Sequence, residues 1–390
     1  MKVEHIYSIL NSITSEVLGE TAVVNEDLSN IVDIGTELFD NTSVDNYVGK
    51  LIDRIGKVVF VDRPYSGSVP SIVKDAWEFG SVLEKIRCEI PEAEENEAWS
   101  LNDRSSYDPN LFYAPKISVK FFNAKDTFEI PISITDKQVK ESFTSASQIN
   151  AFYSMIYSAI EKSMTIKIDA IVMRVINTMT AQTLFDEYGA SAQYSTKSGV
   201  RAVNLLKLYN DKFSQNLTAA KATTDGGFIK FATYTIGLYK DRIAKISKLF
   251  NIGQTDKFTP EANLHLVLLS EFEKGAMAYL ESNTYHNDLI KLPNHETVAY
   301  WQGSGQTYEF TSTSKIDVKI KEFDSGSDKT VTTSGILGVM FDSDACGVSN
   351  LHRYNTSNYN PKGEFTNTWF KADGHYWVDG NENFVVFFVA

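Results

Sequence analysis

Asp342-Ser343-Asp344-Ala345-Cys346-Gly347 opens like a calcium loop, with carboxylates at its first and third positions and glycine at its sixth. A hard cation wants oxygen at the fifth position as well, and Cys346 offers sulfur there. Arg353 then stands where a bidentate glutamate belongs, so a turn bearing carboxylates is the better reading. Gly303-Ser304-Gly305 lacks the third glycine and the lysine of a phosphate loop, and neither a GxSxG elbow nor an HExxH helix occurs. The histidines His5, His265, His286, His295, His352 and His375 are scattered singly. His265 sits in an apolar strand as a packed side chain. His286 and His295 flank a loop where a catalytic pair is conceivable, but nothing specifies a nucleophile. Acidic pairs such as Glu94-Glu95 suit solvated charge better than general acid–base work. Cys88 and Cys346 have no CxxC partner and read as free thiols, not as a disulfide framework or a zinc site. The expectation is a protein with no catalytic, cofactor-binding or metal-ligating residue.

Composition narrows the function classes further. The 390 residues are 43% hydrophobic and 22% charged, suiting two or three linked subdomains. Acidic residues outnumber basic ones 50 to 37, for a net charge of −13. Gripping nucleic acid calls for a basic surface. The densest basic stretch, Lys240, Arg242, Lys245 and Lys248, alternates with Ile243, Ile246 and Leu249 and reads as the wet face of a helix. A container for DNA, by contrast, gains from a surface that does not hold its cargo. No apolar run approaches a membrane span, and Met1-Lys2-Val3-Glu4-His5 lacks the apolar core of a secretory signal. Synthesis and retention in a cytoplasm are expected.

The elements follow from periodicity. Val3, Ile6, Ile9, Leu10, Ile13 and Val17 share a helical face ahead of Gly19, and a second short helix is expected around Leu28, Ile31 and Val32. Residues 1–60 are otherwise broken by turn formers and need outside contacts to order them. Val82 to Ile90, Ile117 to Phe121 and Phe128 to Ile134 alternate as strands. Between the first two lies a long acidic tip with Glu92, Glu94, Glu95, Glu97, Trp99 and Arg104. A projecting hairpin of this kind is only marginally stable alone and needs something to lie against. Ser145 and Gln148 have the spacing of a capping box. Behind it Ile149, Phe152, Ile156, Ile160, Met164, Ile168, Ile171, Val175 and Met179 sustain one apolar stripe, predicting a helix of roughly 50 Å. Residues 190–335 read as a mixed unit with helices near 200–213, 236–250 and 271–281, and with strands near Leu264–Leu269 and Lys315–Phe323. Strands at Ile336–Phe341, Phe365–Lys371, His375–Val378 and Phe384–Val389 follow, the last apolar on both faces and therefore central.

This order of parts resembles the major capsid proteins of tailed bacteriophages, whose fold is shared with encapsulin shells. The likeness is carried by Phe128-Glu129-Ile130-Pro131-Ile132-Ser133-Ile134 leading into the helix from Ser145. It is carried again by Ile336-Leu337-Gly338-Val339-Met340-Phe341-Asp342, by Asn358-Tyr359-Asn360-Pro361-Lys362-Gly363-Glu364-Phe365 and by Asn383-Phe384-Val385-Val386-Phe387-Phe388-Val389. These stretches look like head proteins of short-tailed phages (podoviruses) of Gram-positive hosts.

The resemblance implies an α+β subunit of the tailed-phage major capsid fold: an N-terminal arm at 1–60 and an extended β-hairpin loop with lead-in strands at 61–133. A peripheral domain with the long spine helix would follow at 134–184 plus 363–390, an axial domain at 185–345 and a connecting segment at 346–362. The implied function is a structural subunit of an icosahedral or prolate capsid, self-assembling into hexamers and pentamers around double-stranded DNA without sequence-specific binding. The implied location is the virion, assembled in the host bacterial cytoplasm and touching no membrane. A helix opening at Met1 without a long charged leader argues against an N-terminal scaffold domain, so a separate scaffolding protein and a portal are the expected partners. Expected contacts between copies fall on Glu92, Glu94, Glu95, Glu97, Trp99 and Arg104 at the hairpin tip, and on Val3, Ile6 and Leu10 in the arm. An encapsulin-like compartment shell, or a tail-tube or collar protein, is the alternative.

Overall fold

The apolar stripe starting at Ile149 becomes one 43-residue helix, Ala146–Tyr188, about 65 Å long, with no glycine inside it and Gly189 in the left-handed region at its end. It belongs to a computed structural model that describes residues 70–74, 83–91, 93, 110–135, 146–189, 194, 196–282, 292–301, 315–323 and 325–390. The arm at 1–60 and the contact residues expected on it lie outside these. A single 3-10 turn at Pro70–Ile72 leads into β1 (Val73–Lys74), followed by β2 (Leu83–Cys88), β3 (Ile117–Phe122) and β4 (Lys125–Thr135). The long helix is α1, followed by β5 (Ala202–Asn204), α2 (Leu205–Phe213), one helical turn at Ala219–Ala222, and α3 (Gly226–Ile243). Next come β6 (Leu264–Leu269), α4 (Ser270–Ser282), β7 (Glu296–Val298), β8 (Lys315–Lys321) and β9 (Asp328–Ser334). The chain closes with β10 (Ile336–Asp342), β11 (Cys346–Asn360), β12 (Phe365–Val378) and β13 (Phe384–Phe388).

Two sheets divide the strands. One runs β1-β11-β12-β4 and the other β5-β13-β10-β6-β7, while β2-β3 and β8-β9 stand as separate two-stranded ladders. α1 joins the sheets. Its Ile160 and Met164 pack on Phe370 and Ala372 of β12, with Phe128, Ile130 and Ile132 of β4 beside them. Further along, Ile168, Ile171, Val175, Met179 and Leu184 enter the main core with the second sheet. Arg174 is wedged between the two kinds of contact, ion-paired to Asp126 and lying over the Tyr376 ring at 4.6 Å. β13 lies between β5 and β10 with all of Phe384–Phe388 buried, the central place that two apolar faces demand.

Four segments differ from the sequence reading. Residues 346–362, expected as a connection, are mostly β11, whose alternation is hidden by polar residues such as Asn355, Thr356, Ser357 and Asn358. The helix expected at 236–250 is α3, which starts ten residues earlier because Asp225 caps it, accepting from Phe228 N at 2.7 Å. It stops at Ile243 because Thr259 N takes the Ile243 carbonyl at 2.9 Å. Ile246 and Leu249, which alternate with the basic residues of that stretch, lie beyond the helix and are exposed. The helix expected near 200–213 begins at Leu205, since residues 202–204 add β5 to the sheet beside β13. Finally, Phe365–Val378 and Phe384–Phe388, grouped together on sequence, enter different sheets.

Candidate functional site: a hairpin held by buried ions

β2 and β3 pair antiparallel from Leu83↔Phe122 to Cys88↔Ile117. Strand alternation puts Leu83, Lys85 and Arg87 on one face with Lys120 and Phe122, and Glu84, Ile86 and Cys88 on the other with Ile117, Val119 and Phe121. The first face is a problem on its own. Lys85 stands directly opposite Lys120, and like charges so placed repel.

The turn between β12 and β13 resolves the repulsion. Asp379, whose side chain is completely buried, takes Lys85 Nζ on Oδ2 at 3.0 Å and Lys120 Nζ on Oδ1 at 2.9 Å. Arg87 Nη2 reaches the same Oδ2 at 2.9 Å and also pairs with Glu382. Lys85 spends its remaining donors on the Asp344 carbonyl at 2.7 Å and on Glu382 Oε1 at 3.3 Å, which satisfies an ammonium fully. Lys257 approaches Glu382 Oε2 at 3.8 Å. Burial alone would raise the Asp379 carboxyl, but Lys85, Lys120 and Arg87 outweigh it and bring its pKa down to about 2. Burial lowers Lys85, and it lowers Lys257 with help from Arg87 and Lys85.

Asp379 is itself fixed by backbone. Its N–H donates to Ala345 O at 2.7 Å, and its Oδ1 accepts from Asn381 N at 3.1 Å. The 342–345 segment is a turn, with Asp342 Oδ1 accepting from Asp344 N at 2.9 Å and Ala345 N donating to Asp342 O at 2.8 Å. Asp344 pairs with Lys74 in an exposed bridge of little energetic weight. Buried ion pairs are weak evidence for net stability, but removing one member strands the others at a cost of about 3–5 kcal/mol. The clasp therefore acts mainly as a positional device: it sets which face of the hairpin turns inward.

What it turns outward is apolar. Ile86, Ile117, Val119 and Phe121 are exposed on that face, Phe121 by 65%. Leu111, Phe112 and Tyr113 continue the exposure before β3, Phe112 reaching 88%. Single exposed hydrophobics are ordinary; a contiguous set on one face marks a surface meant to be covered.

Of the expected contact residues, Glu92, Glu94, Glu95, Glu97, Trp99 and Arg104 lie outside the described residues, as do Val3, Ile6 and Leu10. The residues that sequence reasoning missed are Asp379 and Glu382. Their only signal was indirect: Lys85 and Arg87 share a strand face, and two cations on an inward face require anions.

A second polar cluster has the residue types of an acyl-transfer site but not its geometry. Ser71 Oγ lies 2.5 Å from Glu296 Oε2 and 3.0 Å from His265 Nδ1. The serine's one proton goes to the carboxylate, so His265 donates to the serine instead of taking its proton. His265 is also stacked on Phe341 at 5.5 Å, and burial lowers its pKa. The cluster ties the strand-leading turn at Pro70–Ile72 to β6 and β7. His286 lies outside the described residues, and His295 faces Glu273 at 3.8 Å.

Comparison with known proteins agrees with this architecture. The family model described as Phi29-like phage major capsid protein matches residues 10–388. No curated protein sequence is detectably similar. Among solved structures, a chain from the capsid of Staphylococcus phage Andhra is similar with a TM-score of 0.54 at 8% identity, covering 85% of this chain and 86% of that one. A chain from the structure of the head fiber and inner core protein gp22 of native bacteriophage P68 is similar with a TM-score of 0.51 at 8% identity, again covering 85% and 86%. At such identities the likeness speaks for the fold.

Proposed function

The chain belongs to the Phi29-like phage major capsid protein family, and we propose that its copies close into hexamers and pentamers of an icosahedral or prolate shell around double-stranded DNA. It is a structural subunit of a phage capsid. The observation that carries the proposal is the hairpin: its cationic face is clasped by Asp379 and Glu382, and its apolar face is presented outward. A second copy is the cover that a self-assembling subunit supplies, and many modest contacts then add through effective concentration. The net charge of −13 supports containment of DNA without binding it. The role is shell building, with no catalytic step assigned to any residue.

The same reading assigns parts. Residues 1–60 serve as the arm, and β2–β3 with the segment between them as the extended loop. α1 with β4, β11 and β12 serves as the peripheral domain, and α2–α4 with β5, β6, β7 and β10 as the axial domain. The pairing of β13 with β5 and β10 supports counting 384–390 with the axial domain instead of the peripheral one. A separate scaffolding protein and a portal complete the assembly in the host cytoplasm.

Electron microscopy of the purified chain, alone and with its scaffolding protein, is the test. Closed shells are expected with scaffold. Open tubes or stacked rings would point to a tail-tube or collar component and overturn the reading.

A further inference from the structure

The segment after α3 carries a second surface with a composition of its own. Ser247 and Lys257 exchange both backbone hydrogen bonds, at 2.9 and 3.2 Å, and Lys257 turns inward to Glu382. Strand alternation then sends the flanking positions outward: Ile246 beside Phe258, and Lys248 paired with Asp256 at 3.2 Å. Ile246, Leu249 and Phe258 are 56%, 59% and 52% exposed. Arg242 and Lys245 stand next to them, exposed and with no carboxylate partner among the described residues. Three large apolar groups beside two cations that have no carboxylate partner among the described residues make a surface suited to an acidic segment with an apolar anchor.

This chain contains one such segment. Glu92, Glu94, Glu95 and Glu97 put four carboxylates within six positions, and Trp99 follows two residues later. We propose that residues 92–99 of one copy dock on the Arg242–Phe258 surface of a second copy, the carboxylates meeting Arg242 and Lys245 and Trp99 packing against Ile246, Leu249 and Phe258. The inference rests on the chain being a shell subunit and names one of the contacts between copies. Two observations favour a second copy over the same chain. Lys257 points to the clasp that holds the chain's own hairpin, and the docking surface is on the opposite side of that short ladder. The hairpin base is also pinned by Lys85, Arg87 and Lys120, which keeps its cationic face on the clasp side. Aromatic anchors flanked by complementary charge are the common form of an interface hot spot.

The test is a disulfide trap in assembled particles. Cys88→Ser removes the exposed native thiol, and Glu95→Cys with Lys245→Cys adds a pair; Cys346 is buried. Mild oxidation of these particles is expected to produce a ladder of covalent oligomers on a non-reducing gel. Shells that form normally but give only monomer, unlinked or linked within one chain, would overturn the docking proposal and leave the shell reading standing. An unsubstituted chain that makes no shells with scaffold would bring down both. As a second arm, Arg242→Glu with Lys245→Glu should reduce particle yield by roughly tenfold, and adding Glu94→Lys with Glu95→Lys should restore it. Failure of the reversed pair to restore assembly would count equally against the proposal.

Discussion

Asp379 is where burial and charge compete most directly. Its carboxylate is completely buried yet held at about 2, below its ordinary value of 3.8, because three cations surround it. A carboxyl depressed in the folded state stabilises above the unfolded value and loses that contribution as pH falls through the folded one. Denaturation of the unassembled subunit should therefore show ~2 kcal/mol of stability draining away between about pH 4 and pH 2. Asp379→Asn should remove that component and cost about 3–5 kcal/mol near neutrality, since Lys85 and Lys120 are then left facing each other. Urea titrations of both proteins across that pH range check the expectation. An unchanged acid slope in Asp379→Asn would mean that another carboxylate carries it. None of this could be read along the chain, because Asp379 lies 294 residues from Lys85 and 259 from Lys120. Only the cationic parity of β2 hinted that an anion had to arrive from elsewhere.

At the scale of elements, legibility followed local periodicity. α1 and β13 were plain because a helix stripe and a doubly apolar strand are local patterns. β11 was missed because its face is polar and its order comes from fourteen partners along β12. The start of α3 escapes periodicity because one capping side chain, Asp225, sets it ahead of two glycines that are poor helix formers. Two variants probe the elements separately. Met179→Ala, at a fully buried position of α1, should cost about 2–5 kcal/mol in the subunit's unfolding free energy. Gly335→Ala should be destabilising by about 1–3 kcal/mol, because φ there is +78° and an added Cβ would meet Val389 O at 2.3 Å. A neutral result at Gly335 would contradict the close approach of its backbone to the Val389 carbonyl.

At the scale of the whole molecule, the subunit combines an interior that is well covered with a hairpin that is not. Hydrophobic residues from both sheets and α1 through α4 build the main core, and Ile160 and Met164 of α1 make a smaller cluster with Phe370 and Ala372 of β12. The face bearing Ile86, Val119 and Phe121 contributes nothing to that core. Fully covering one such side chain is worth about 1.5–3 kcal/mol. Replacing Ile86 and Phe121 together by serine should leave the melting of the lone subunit nearly unchanged while abolishing shell formation, as seen by sedimentation.

Cys88 supplies the most direct measurement of all, since it is an exposed thiol on that same face, between Ile86 and the opposing Ile117. Cys346 serves as the silent control, buried and with its thiol pushed up to about 12. Maleimide labelling of the free subunit should modify one thiol per chain, and labelling of intact particles should modify almost none. Equal labelling rates before and after assembly would mean that no second copy lies over the hairpin's outer face.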